Sequence, residues 1–170
     1  MSLSYELDQF ALREAFARFP SGVAALCATV DGAPQGIVAS SFTVGVSLEP
    51  ALVSFAVQNT SRTWPIVRKA ERIGVSILGS DHQGVCRQIA SRDGDRFAGL
   101  DLTESEAGGL FLDRAALWLE TSVHTEVPAG DHHVVLLEVH AVATHDGVHQ
   151  PLVFHDSGFH DLHRPAPQYA

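Results

Sequence analysis

A chain of 170 residues falls in the ordinary size range of one domain and is long enough to bury a core without disulfide staples. With 45% hydrophobic and 18% charged residues, it is excluded from the disordered class. Eleven basic against 20 acidic residues give a formal net charge of -9, which repels a phosphate backbone; no Lys/Arg run offers a local exception, so nucleic acid is excluded as a partner.

In chain order, Leu7, Phe10, Ala11, Ala15 and Phe19 recur at helical spacing with Glu6, Asp8, Arg13, Glu14 and Arg18 between them, which predicts an amphipathic helix over residues 5–18. Pro20 and Gly22 end it. Residues 1–14 hold early acids and no basic stretch followed by an apolar one, so they do not read as a signal peptide. The longest apolar runs, 22–30 and 134–139, fall short of the ~20 residues that span a bilayer. No membrane association and a cytoplasmic location are expected.

The run 22–30 closes at Asp31, Gly32, Ala33 and Pro34, and a second extended run covers 35–44, which together read as a hairpin turning at Asp31-Gly32. Strands are predicted over 51–57 and 72–78. Between them 63–70 reads as a short helix, with Thr63 as its cap and Pro65 in its first turn, where a missing N–H is cheap. Asp81 is the expected cap of another short helix running through Ile89. Residues 91–109 are polar, glycine-containing and aperiodic, and read as a long loop of the kind that often carries function.

Two long strands follow, 116–127 and 132–144, joined by Pro128, Ala129, Gly130 and Asp131. Asp146-Gly147 then turns the chain into 151–154. About seven strands with few helices and hairpin-like connections predict an antiparallel barrel or sandwich and disfavour a doubly wound parallel sheet. One domain over 1–163 and a loose tail over 164–170 are expected.

For chemistry, GxGxxG after a strand, GxxxxGK[ST] and GxSxG are all absent, so Rossmann, P-loop and hydrolase-elbow sites lack a basis. Cys27 and Cys86 lie far apart without CxxC spacing and read as small buried hydrophobes. A catalytic thiol at Cys86 is the alternative, with nothing basic evidently placed to activate it. Ten histidines invite a metal reading, but no HExxH supports it, and His132 and His140, on one strand face, lie roughly 26 Å apart. No metal is expected.

Two hydroxyl-rich turns can hold an anion. One is Ser40-Ser41; the other is Asn59-Thr60-Ser61-Arg62-Thr63, which joins hydroxyls and an arginine to the free N–H groups of a helix start. The plainer readings are a strand end and a helix cap. Gly130-Asp131-His132 aims an imidazole and a carboxylate from the start of a long strand, against the plainer reading of a hairpin corner.

In order along the chain, Phe19-Pro20-Ser21-Gly22-Val23, Ile37-Val38-Ala39-Ser40-Ser41-Phe42-Thr43, Val46-Ser47-Leu48-Glu49-Pro50-Ala51-Leu52-Val53, Asn59 to Thr63, Trp64-Pro65, Arg96-Phe97, Leu119-Glu120 and Gly130-Asp131-His132 resemble the flavin reductase-like family, the small reductase components of two-component flavin monooxygenases. The resemblance spans nearly the whole chain. It implies a mainly β, split β-barrel fold of the FMN-binding type with a few short helices, a homodimer, FMN or FAD near the subunit interface, and NADH or NADPH as reductant. It further implies reduced flavin supplied by diffusion to a partner monooxygenase. Ile37, Val38, Ala39, Ser40 and Ser41 would line the isoalloxazine and ribityl chain, Gln58, Asn59, Thr60, Ser61, Arg62 and Thr63 the phosphate, and Phe97 the flavin's surroundings. Asp131, His132, Gly158 and Phe159 match segments that meet the nicotinamide, with His132 as the candidate catalytic residue that positions it for hydride transfer. Three positions depart from the pattern: Val38 where threonine is frequent, Gly45 in a turn one residue longer, and Phe159 where tyrosine is common. A non-catalytic flavin-binding or electron-relay protein on the same fold is the alternative, and a His-rich metal-binding barrel the third reading.

Overall fold

A computed structural model describes residues 3, 5, 7–145 and 150–162. The first helix, α1 (Gln9–Ala17), is shorter than its periodicity because Asp8 leaves the helix to cap it: Asp8 Oδ1 accepts from the N–H groups of Phe10 at 2.9 Å and Ala11 at 3.0 Å. The helix is tied down at its end, where Asp156 N–H donates to Ala17 O at 2.6 Å. Its apolar face is uncovered, and Phe10 is 74% exposed.

Among the described residues twelve strands follow: β1 (Ser21–Gly22), β2 (Ala24–Val30), β3 (Ala33–Ala39), β4 (Thr43–Leu48), β5 (Ala51–Gln58), β6 (Ile73–Ile77), β7 (Leu102–Glu104), β8 (Gly109–Leu112), β9 (Leu117–Ala129), β10 (His132–Thr144), β11 (Leu152–His155) and β12 (Gly158–Asp161). The described residues also form two short α-helices, α2 (Trp64–Val67) and α3 (Gln83–Ala90). Every strand pairing is antiparallel, as the hairpin-like connections imply. The main sheet has the order β4-β5-β10-β9-β6-β2-β8-β7, with β3 on the other edge of β2; a small sheet has the order β1-β11-β12. Among the described residues no ladder joins the ends of the main sheet.

Strand β2 explains its own uninterrupted apolar run. Ala24 and Leu26 enter one core cluster with Phe55, Trp64, Val67, Ile73 and Val135, while Ala25 and Cys27 enter a second with Leu78, Cys86, Ile89 and Phe97. A strand buried on both faces has no polar alternation to show. The turn after it is formed by Asp31 and Gly32 with φ of 53° and 74°, the doubly positive pattern of a tight hairpin.

The helix expected over 63–70 is the single turn Trp64–Val67. The run 35–44 is two strands rather than one: the chain breaks at Ser40-Ser41 because Ser41 Oγ accepts from Ala56 N–H at 3.0 Å and donates to Ala56 O at 3.1 Å, carrying the chain across to β5. Thr63 makes no capping bond, and Ser61 takes that role, its Oγ accepting from Trp64 N–H at 3.1 Å. Asp81 does not cap α3 but lies in the 3₁₀ turn before it (Ser80–His82) and pairs with Arg114 at 2.6 Å. The loop over 91–109 contains β7 and the start of β8. The turn at Asp146-Gly147 and the tail over 164–170 lie outside the described residues.

Ser61→Ala is expected to destabilise the fold by about 1 kcal/mol through loss of the α2 cap, read as a lower urea midpoint with an unchanged denaturant slope. An unchanged midpoint would show that the Ser61 bond contributes nothing to stability.

Candidate functional site

The ends of β3 and β5, the turn into α2, and the end of α3 with the segment after it enclose a cleft of about 890 Å³. Its walls divide by chemistry. Ile37, Val38, Ala39, Phe55 and Val57 offer an apolar face, while Ser40, Ser41, Gln58, Thr60, Ser61, Thr63 and Ser91 offer polar groups. The lining holds three arginines, Arg62, Arg92 and Arg96, and no Asp, Glu or Lys. In a chain of net charge -9, a cleft with three guanidinium groups and no carboxylate is arranged for an anion.

The arginines are not equivalent. Arg96 is tied into the protein, its Nη1 donating to Gly36 O at 3.1 Å and more distantly to Thr63 Oγ1 and Ile89 O, both at 3.4 Å, so it joins β3, α2 and α3 around the cleft. Arg62 and Arg92 are exposed. Ser61 and Thr63 each accept a bond from within the protein, which leaves the O–H of each available to a ligand. Ser41 has both its donor and one acceptor committed to Ala56.

Gly36 is required where β3 passes the core: a Cβ there would lie 2.5 Å from Cys27 Sγ and 3.0 Å from Phe97 Cζ. Phe97 is therefore a buried core side chain packed under that strand, not part of the cleft lining. Burial pushes the Cys27 thiol up to about 12, against a smaller opposing effect of Arg96, and burial likewise raises Cys86 against Arg87. Neither is an activated nucleophile.

The raised Cys27 value fixes a sign. A thiol kept protonated in the fold contributes stability that is complete below the unfolded thiol's pKa and is lost as pH rises toward the folded value. Stability should therefore fall by about 1.4 kcal/mol per pH unit above roughly pH 9 on this account. Cys27→Ala should show a shallower decline than the native chain in urea unfolding between about pH 9 and pH 11. Parallel declines would contradict it.

His132 lines the cleft at the first position of β10, directly across from Gln58 of β5, so the two share a sheet face. Gly130 and Asp131 form the two-residue turn before it, Gly130 with φ of 65°. Asp131 and His132 are joined by a 2.7 Å hydrogen bond between Oδ1 and Nδ1. That bond is the main reason the Asp131 carboxyl is held below the usual carboxylate range, with the imidazole's charge adding to it. With Nδ1–H donating to Asp131, Nε2 is the imidazole nitrogen left for the cleft.

Of the expected site residues, the cleft brings together Ile37, Val38, Ala39, Ser40, Ser41, Gln58, Thr60, Ser61, Arg62, Thr63 and His132. It does not bring in Asn59, whose side chain turns to the β9–β10 hairpin, nor Asp131, which adjoins His132 on the exposed turn. Gly158 and Phe159 belong to β12 of the small sheet, where Phe159 packs edge-on to Phe154 with the Arg87 guanidinium 5.5 Å from its ring centre. Gly45, expected in a turn, lies within β4, with φ of 70° at the irregularity in the β4–β5 ladder. Arg92 and Arg96, together with Ser91, are the polar cleft residues that the expected site leaves out, along with Gly36, Phe55, Ala56, Val57, Ile89 and Ala90; the Ser-Arg-Asp-Gly-Asp-Arg stretch in the long loop is the signal for the polar ones. Among the described residues no group of three His, Cys, Asp or Glu side chains is placed to hold a metal ion.

This arrangement can hold an elongated anion with a flat apolar portion. A flavin fits that description. The apolar wall would meet the ring system, and the Thr60 to Thr63 hydroxyls with Arg62 and Arg92 would meet the phosphate.

The model of the flavin reductase like domain matches residues 16–163. The chain is 38% identical over 154 residues to actinorhodin polyketide dimerase of Streptomyces coelicolor, covering 89% of this chain and 85% of that protein. It is 31% identical over 159 residues to NADH:FMN oxidoreductase of Rhodococcus erythropolis, covering 91% and 81%. The crystal structure of nitrilotriacetate monooxygenase component B from Mycobacterium thermoresistibile superposes with a TM-score of 0.88 at 29% identity, over 96% of this chain and 93% of that one.

Proposed function

This chain belongs to the flavin reductase-like domain family, and from that premise we propose that it is an NAD(P)H-dependent flavin reductase, which reduces FMN or FAD and supplies the reduced flavin to a partner monooxygenase. The observation that carries the reading is the cleft itself: an apolar wall on β3 and β5 ending in three arginines and free hydroxyl donors, with His132 at its rim. Bound together, the nicotinamide supplies a hydride and the flavin accepts it, so the protein's work is placement.

In this reading β3 presents its backbone and small side chains to the ring system, which favours close approach over Val38, Ala39 and Ser40. The donors of Ser61 and Thr63, with Arg62 and Arg92, hold the phosphate. Arg96 keeps the two walls in register through its bonds to Gly36, Thr63 and Ile89. His132, oriented by Asp131, contacts the nicotinamide through Nε2. Asp131, Phe97, Gly158 and Phe159 then act beside the cleft rather than in its lining.

The same reading takes the main sheet as a split β-barrel of the FMN-binding type, residues 1–163 as one domain, and the protein as a cytoplasmic homodimer. What supports the dimer is the uncovered apolar surface of α1 at Phe10 and Phe16 and of edge strand β4 at Val44, Val46 and Leu48. No helix among the described residues is long and apolar enough to cross a membrane.

The test is anaerobic mixing of NAD(P)H with flavin in large molar excess over protein. A diffusible product requires reduction of many flavin equivalents per chain; reduction of a single equivalent would make the flavin a captive group and the protein an electron relay.

A further inference from the structure

We propose that Asn59, seconded by His133, is a positioning residue for His132: it fixes the Gly130-Asp131 turn and touches neither flavin nor nicotinamide. The proposal rests on the reading of His132 as the nicotinamide contact.

Asn59 directs its backbone N–H and its side-chain amide at the β9–β10 hairpin. Its backbone N–H donates to Asp131 O at 3.0 Å, its Nδ2 donates to Gly130 O at 3.2 Å, and its Oδ1 lies 2.7 Å from His133 Nδ1. Two successive carbonyls of a two-residue turn and the second residue of the following strand are thus held by one side chain and its own amide. The neighbours of Asn59, Gln58 and Thr60, line the cleft and Asn59 does not.

The need for such a strut follows from the ladder. The β5–β10 pairing ends at Gln58 and His132, so beyond that rung the hairpin tip has no sheet partner to hold it. A tip of this kind frays unless something continues the pairing. Asn59 continues it by one bond and then adds two from its amide.

The network also has a fixed direction. Because Nδ2 donates to Gly130 O, Oδ1 is the atom facing His133, and an amide oxygen only accepts; His133 therefore carries its proton on Nδ1. One residue earlier, His132 donates its own Nδ1–H to Asp131. Asn59 holds the Asp131 backbone, the Asp131 carboxylate holds the imidazole, and Nε2 is aimed as a result.

The test is a double-mutant cycle of Asn59→Ala and His132→Ala, read as the Michaelis constant for NAD(P)H, the turnover number and the flavin dissociation constant. Asn59→Ala is expected to raise the NAD(P)H constant about fivefold with flavin affinity within about twofold of native, and to add nothing once His132 is gone. His133→Gln, which keeps a donor for Asn59, should stay near native, while His133→Phe should follow Asn59→Ala. Weakened flavin binding in Asn59→Ala, or an equal effect with and without His132, overturns the proposal while leaving the nicotinamide reading intact. An unchanged constant in His132→Ala alone overturns that reading, and the proposal with it.

Discussion

Replacing Arg62 and Arg92 together with glutamine is expected to weaken flavin binding by about a hundredfold or more. Charge-assisted hydrogen bonds contribute ~1.5 to 3 kcal/mol each, so two of them to one phosphate give at least ~3 kcal/mol, a factor of more than 10². Both arginines are exposed, which places the expectation at the lower end and makes it dependent on salt: native affinity should decline as ionic strength rises, and the double variant should lose most of that slope. Arg96 is not the residue for this experiment. Its removal would leave Gly36 O and Ile89 O short of a donor, so a loss of affinity would mix binding with folding. Flavin titration by fluorescence at two salt concentrations checks the prediction. Unchanged affinity would place the phosphate elsewhere.

His132→Ala is expected to raise the Michaelis constant for NAD(P)H about tenfold while flavin affinity stays within about twofold of native. The division follows from geometry. His132 enters the cleft from the β9–β10 hairpin, whereas the hydroxyls and arginines come from the β5–α2 turn and the segment after α3. Loss of one imidazole hydrogen bond is worth up to ~1.4 kcal/mol, a factor of about ten, and an imidazole that also orients its ligand contributes separately through turnover. Steady-state kinetics at saturating flavin separates the two effects. An unchanged Michaelis constant and rate would reduce His132 to a hairpin corner.

Local chemistry made much of this fold legible. Asp31-Gly32 announced its turn because few residues tolerate two successive positive φ values. The two long strands of β9 and β10 were visible from length and β-branched content, and the antiparallel class from short connections. The first helix was visible by period, but not its true start, since Asp8 serves either as a helix residue or as a cap and only the backbone decides.

What stayed hidden was set by contacts between distant parts of the chain. Arg96 bonds Gly36 across 60 residues, and Asn59 bonds Gly130 across 71; no periodicity records such pairs. The Asn59-to-Thr63 stretch looked like one phosphate-binding group because its residue types suit an anion. In the fold it divides: Ser61 caps a helix and keeps a donor, Thr63 receives Arg96, and Asn59 serves the opposite hairpin. Phe97 sits beneath the cleft wall, where the absence of a side chain at Gly36 makes room for it. Short pieces such as β1, β7 and β12 have too few residues to show alternation, whereas the expected segment 151–154 is found as β11.

The central claim, that the cleft couples NAD(P)H oxidation to flavin reduction, is tested most directly by a steady-state assay of the purified protein with NADH or NADPH, each against FMN or FAD. Nicotinamide oxidation that requires added flavin is expected in at least one pair, with bleaching of the flavin's visible absorbance when oxygen is excluded. Flavin bound to the protein with no nicotinamide oxidation in any of the four pairs would contradict it.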